Sequence, residues 1–120
     1  MSAAPTRIVG KPWGREIIYA SNERYIGKVI EIDAGQRLSL QYHREKDESI
    51  YVLEGTLSLV IGPSKDALQT VELSAGGAYR IRPGEVHRFH APLGPVRVLE
   101  VSTPHFDDVV RVADDYGRAP

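Results

Sequence analysis

Short runs in which apolar and polar residues alternate follow one another along most of the chain. REIIYA, ERYIGKVIEI, RLSLQYH, SIYVLEG, TLSLVIG, ALQTVELS, AYRIRP, VHRFHA and VRVLEVS are rich in β-branched and aromatic residues and predict strands. The joints between them are turn-like: DAGQ at 33–36, EGT at 54–56, IGPSKD at 61–66, SAGG at 74–77, RPGE at 82–85 and PLGP at 92–95. No segment sustains an apolar period of 3.6 with capping signals, so helix is expected to be scarce. Many short strands at this spacing predict an all-β sandwich or barrel. The two ends, Met1–Arg7 and Gly117–Pro120, are expected to be loosely held.

Length adds that 120 residues make a single domain, 1–120, with one core. Fifteen basic and sixteen acidic side chains nearly cancel, and no basic block tracks a phosphate backbone, so no nucleic-acid partner is expected. No apolar run reaches the roughly 20 residues that cross a bilayer, and MSAAPTRIVGKPWG lacks the apolar centre of a signal peptide. A cytoplasmic location without membrane contact is the resulting expectation. With no cysteine there are neither disulfides nor thiolate metal ligands.

The stretch LSLQYHREKDES, residues 38–49, raises the chemical question. Alternation sends Arg37, Ser39, Gln41 and His43 to one face and Leu38, Leu40 and Tyr42 to the other. The polar set is either the solvent face of an antiparallel sheet or the interior of a barrel that holds a cavity. Buried without partners, each such group would cost about 1–3 kcal/mol. A metal ion would partner several at once: an imidazole nitrogen of His43, the carbonyl oxygen of Gln41 and the carboxylate of Glu48. His87, opening a strand just after the turn Pro83-Gly84, is the natural fourth ligand.

Two separated elements fit one template. Gly35, Gln41, His43, Glu48 and Gly55 match in spacing the first motif of the cupin barrel, with Gln41 where the first histidine stands. Gly77, Pro83, Gly84 and His87 match the second motif, one residue tighter, with Ala91 at its closing Asn. The chain therefore resembles the cupins. Within them it is similar to the C-terminal isomerase domain of the type II mannose-6-phosphate isomerases, whose site also uses Gln-x-His, Glu and a later His. KPWGRE, RYIGKVI with Lys28 at a family lysine position, GQRLSLQYH, EGT, RPGEVHRF and DDVVRVADDYGR carry that likeness. The 44–47 stretch, Arg-Glu-Lys-Asp, departs from the family's His-rich sequence, and the cupin domain is expected without a guanylyltransferase portion.

The resemblance implies a cupin double-stranded β-helix (a jelly-roll barrel) and aldose–ketose isomerisation of mannose 6-phosphate and fructose 6-phosphate. It implies one divalent ion, Zn, Mn, Fe, Ni or Co, on Gln41, His43, Glu48 and His87. Arg37, Lys28 and Arg111 are the expected substrate cations, with Lys28 and Arg111 also candidate catalytic groups; for the proton-transfer base, Lys28 or a metal-bound water is open. Lys28, flanked by Ile26 and Ile30, should point inward and need a partner, while Arg111 could instead pair with a neighbouring aspartate. Arg88 reads as a surface residue, His90 and His105 as non-ligands and Trp13 as a packing anchor. A homodimer is expected, covering REIIYA as a sheet edge. The alternative function is a small metal-binding cupin that acts as a sugar-binding or regulatory module, or as an iron-dependent oxygenase.

Overall fold

A computed structural model describes residues 6–120. Eleven strands follow in order: β1 (Arg7–Lys11), β2 (Gly14–Ser21), β3 (Ile26–Ile32), β4 (Leu40–Tyr42), β5 (Glu48–Glu54), β6 (Thr56–Gly62), β7 (Gln69–Ser74), β8 (Ala78–Ile81), β9 (Val86–His90), β10 (Val96–Ser102) and β11 (Val110–Ala113). No helix occurs among the described residues, and every strand pairing is antiparallel. One sheet has the order β1-β2-β3-β10-β5-β8 and the other β11-β4-β9-β6-β7. This is the expected all-β jelly roll. Among the described residues no helix is long and apolar enough to cross a membrane.

The nine expected strands are all present, and β1 and β11 are additional. β1 changes one expectation. REIIYA lies in β2, which pairs with β1 on one side and β3 on the other, so it is not a sheet edge. Of the ends expected to be loose, Arg7 opens β1, and Arg118 is tied to Asp114 through paired hydrogen bonds of 2.9 Å. Residues 1–5 lie outside the described set.

The inner face of the six-stranded sheet is divided. Toward one end its inward residues are apolar: Ile30, Ile32, Val52, Val96 and Val98, all essentially inaccessible to water. Leu57, Leu59 and Phe89 of the opposite sheet close the core against them. Toward the other end the same alternation delivers Lys28, Glu48 and Glu100 inward, so hydrocarbon fills half of the barrel and charge lines the rest. On the outer face, cross-strand pairing aligns Ile8, Ile17, Val29, Leu99, Tyr51 and Ala78 in one apolar row across all six strands.

The β8–β9 turn is built for close approach. Gly84 has φ of 84°, which a side chain would strain, and its N–H donates to the His43 carbonyl at 2.7 Å. The turn that launches β9 is thereby fixed to the end of β4.

Candidate metal centre and cavity

Both sheets supply the site. In the five-stranded sheet, Arg111, Gln41 and His87 are direct cross-strand neighbours on β11, β4 and β9 and form a single inward row. His43 follows β4 immediately, and Glu48 opens β5 from the opposite sheet. The side chains of His43, Glu48 and His87 are all buried, and their donor atoms lie within 4.8 Å of one another.

Hydrogen bonds set how the imidazoles face. The Nδ1–H of His43 donates to the Asp108 carbonyl at 2.5 Å, and that of His87 to the Glu85 carbonyl at 2.9 Å. Each ring therefore turns its Nε2 inward, the device by which proteins orient metal-binding histidines. These atoms stand 3.5 Å (His43) and 3.2 Å (His87) from Glu48 Oε1. Burial alone would raise the Glu48 carboxyl. The contacts from His43 and His87, with the Lys46 charge, outweigh it and hold Glu48 well below the usual carboxylate range.

His43 Nε2 is buried with no hydrogen-bond partner. A buried lone pair aimed at a carboxylate and a second imidazole is the environment a divalent cation satisfies, and two nitrogens with one oxygen suit a first-row transition ion. The residues fit such an ion. Gln41 lines the same cavity, and its Oε1 accepts from Ser39 Oγ at 2.6 Å, which leaves the second lone pair of the carbonyl for a cation.

Above these donors opens a cavity of about 300 Å³, walled by Trp13, Phe106 and Leu38 and by the cations Lys28, Lys46 and Arg111 among others. Lys28 does point inward, and its partners are Glu16 at 2.8 Å and Glu100 at 3.6 Å, the latter directly opposite on β10. Burial works against its ammonium, but Glu100 and Glu16 outweigh that and raise Lys28 above its ordinary range. At neutral pH Lys28 is thus a fixed positive charge that holds its proton. Arg111 makes no ion pair among the described residues, and its buried Nε has no hydrogen-bond partner. The alternative of a pairing with a neighbouring aspartate is not realised.

Arg37 corrects the sequence reading. It lies outside the cavity and forms a bidentate pair with Asp115, at 2.6 and 2.9 Å. The reason is a slip in register. Arg37 pairs with His90 and Gln41 with His87, so four residues on one strand span three on the other. The extra residue reverses the alternation, and Arg37 shares the outer face with His90. Arg88 is on that outer face too, as expected, but it is covered, and its Nε donates to the Leu38 carbonyl at 2.8 Å. His90 and His105 are outside the donor cluster, and Trp13 is a buried core residue that also walls the cavity.

Four contributors were missed by sequence reasoning. Glu100 and Glu16 sit on the inward phase of VRVLEVS and REIIYA, a polar-inward signal that was legible. Burial, then the charge of Glu48, push the Glu100 carboxyl up. Lys46, on the irregular stretch before β5, contacts Glu48 Oε2 at 3.2 Å and Glu100 Oε2 at 3.3 Å. Asp108 accepts backbone N–H bonds from Arg44, Glu45 and Lys46 at 3.0, 2.7 and 2.9 Å. Neither of these two has a periodic signature.

The cupin domain family matches residues 28–102. The chain is 32% identical over 116 residues to mannose-1-phosphate guanylyltransferase of Escherichia coli K12, covering 93% of this chain and 23% of that protein. It is 30% identical to the xanthan biosynthesis protein XanB of Xanthomonas campestris, covering 93% of this chain and 24% of XanB. The chain thus spans about a quarter of the length of these relatives. Among solved structures, an RmlC-like cupin from Shewanella frigidimarina superposes with a TM-score of 0.73 at 20% identity, over 85% of this chain and 86% of that one.

Proposed function

The chain belongs to the cupin domain family, and from that premise we propose that it is a metal-dependent isomerase of a phosphorylated sugar, with mannose 6-phosphate and fructose 6-phosphate as substrate and product. The observation that carries this reading is the convergence of His43 Nε2, His87 Nε2 and Glu48 Oε1 beneath a cation-lined cavity. The relatives, whose names concern mannose 1-phosphate and xanthan, support a sugar phosphate as the ligand class.

Gln41, His43, Glu48 and His87 hold the ion in this proposal, which when bound supplies a Lewis acid for a sugar carbonyl. Around it, the chain's own residues bind and orient. Arg111, free of carboxylate partners, captures the phosphate with a charge-assisted bond. Lys28 fixes a positive charge where negative charge develops on the sugar oxygens. Trp13 and Phe106 wall the cavity and limit water.

The test is conversion of mannose 6-phosphate by protein loaded in turn with Zn, Mn, Fe, Ni and Co. Turnover that disappears in His43→Ala and His87→Ala, together with their bound metal, is expected. Protein that is metal-loaded yet neither binds nor converts any hexose phosphate overturns the isomerase. Binding without turnover would instead identify a sugar-binding module, and substrate-dependent oxygen uptake with Fe(II) an oxygenase. The proposed macromolecular partner is a second copy of the chain, packed on the outer apolar row. Exposed Ile8 and Tyr51 support this, and a monomeric mass by light scattering at micromolar concentration refutes it.

A further inference from the structure

Beneath the cavity, five charged side chains alternate in sign: Glu48, Lys46, Glu100, Lys28, Glu16. Successive contacts are 3.2, 3.3, 3.6 and 2.8 Å. Lys46 is the member whose placement the substrate-binding reading does not use. Its side chain is 8% exposed, against 1% for Glu48 and 3% for Glu100, so an ammonium has been taken out of water to stand between two carboxylates. That burial is costly unless the geometry is used.

The geometry divides the two oxygens of Glu48. Oε1 faces both imidazole Nε2 atoms, while Oε2 faces Lys46, at ion-pair distance and without any hydrogen bond of its own. A free carboxylate beside a divalent ion can swing to offer both oxygens. Here the ammonium engages the second oxygen and holds it in contact with Lys46. Lys46 is itself held from two directions, by Glu100 at its tip and by its backbone N–H on Asp108 Oδ2 at 2.9 Å.

We propose that Lys46, braced by Glu100, is a positioning residue that makes Glu48 a one-oxygen metal ligand. Keeping Oε2 off the ion leaves a coordination position for a substrate oxygen. This rests on the metal-centre reading above, and Lys46 touches neither the ion nor a reacting atom.

Co(II) tests it in the full chain, because its visible absorption falls in intensity as the coordination number rises. The wild-type protein, Lys46→Met, Lys46→Arg and Lys46→Met/Glu100→Gln are titrated with Co(II). The double variant leaves no unpaired buried carboxylate at position 100 should the single one fail to fold. In Lys46→Met, or in the double variant, we expect a weaker, shifted Co(II) spectrum and a 10–100-fold loss of affinity, as for other groups that orient metal ligands. Lys46→Arg should restore the wild-type spectrum. A folded Lys46→Met or double variant with unchanged spectrum and affinity overturns the proposal, as does loss of stability alone. Failure of the underlying reading is distinguishable, since the wild-type protein itself would then show no Co(II) spectrum.

Discussion

Replacing Asp108 by alanine removes the acceptor for three consecutive backbone N–H groups, those of Arg44, Glu45 and Lys46. Together with the bonds between Asp47 and Thr103, these tie the C-terminal segment to the stretch joining His43 to Glu48. The bond from Arg44, chiefly, outweighs the opposing effect of burial and, with those from Glu45 and Lys46, brings the Asp108 carboxyl from 3.8 down to about 2. Taken at face value that difference is worth at most between about 2 and 3 kcal/mol of stability at neutral pH. Asp108 is half-buried, so solvent screens part of this, and about 1–2 kcal/mol is the expected loss. A carboxyl whose folded-state value is depressed stabilises fully above its ordinary 3.8 and loses that contribution as pH falls through about 2. Urea unfolding of wild type and Asp108→Ala at pH 7 should therefore give a lower midpoint with unchanged slope, and the gap should narrow as pH drops from about 4 toward 2. Asp108→Asn, which retains one acceptor oxygen, should fall between them. A gap below about 0.3 kcal/mol at pH 7, or one that is undiminished at pH 2, refutes the reasoning.

Lys28→Met leaves Glu16 and Glu100 without the charge between them, and should lower stability by about 3 kcal/mol. Adding Glu100→Gln should recover part of this in a double-mutant cycle, and additive losses would disprove the coupling. Arg111→Ala should raise KM for a hexose phosphate by an amount equivalent to about 1.5–3 kcal/mol while metal content stays the same. An unchanged KM removes Arg111 from phosphate capture. Val98→Ala, at a core position with no exposed surface, should cost about 1–3 kcal/mol by calorimetry or denaturant without altering metal content.

Much of the barrel was legible in the chain. Period-two alternation and glycine-proline punctuation report local backbone preference and one-sided burial, so they located nine strands and pointed to little helix. The spacing of Gln41, His43, Glu48 and His87 was equally readable, because a turn of fixed length carries His43 to Glu48 and the Pro83-Gly84 turn delivers His87 at the start of its strand. Lys28 was placed inward by the same logic, and the inward phase of Val96, Val98 and Glu100 named its partner had it been read.

Tertiary structure decided what periodicity cannot encode. Arg37 was lost to the site because one extra residue between it and Gln41 reversed the side chain's face, and that bulge exists only in the pairing with β9. β1 became the edge in place of β2 because Arg7–Lys11 folds back on β2 across the Pro12-Trp13 turn, a local hairpin whose first strand, RIVGK, carries too short an alternation to announce itself. Lys46 and Asp108 lie 62 residues apart, each in an irregular stretch just after a bend or a turn, where no repeating pattern assigns a direction to a side chain. Local alternation thus fixed which residues could meet inside a barrel. The register between strands fixed which of them did, since hydrogen-bonded pairing can shift by one residue without any change in the alternation of either strand.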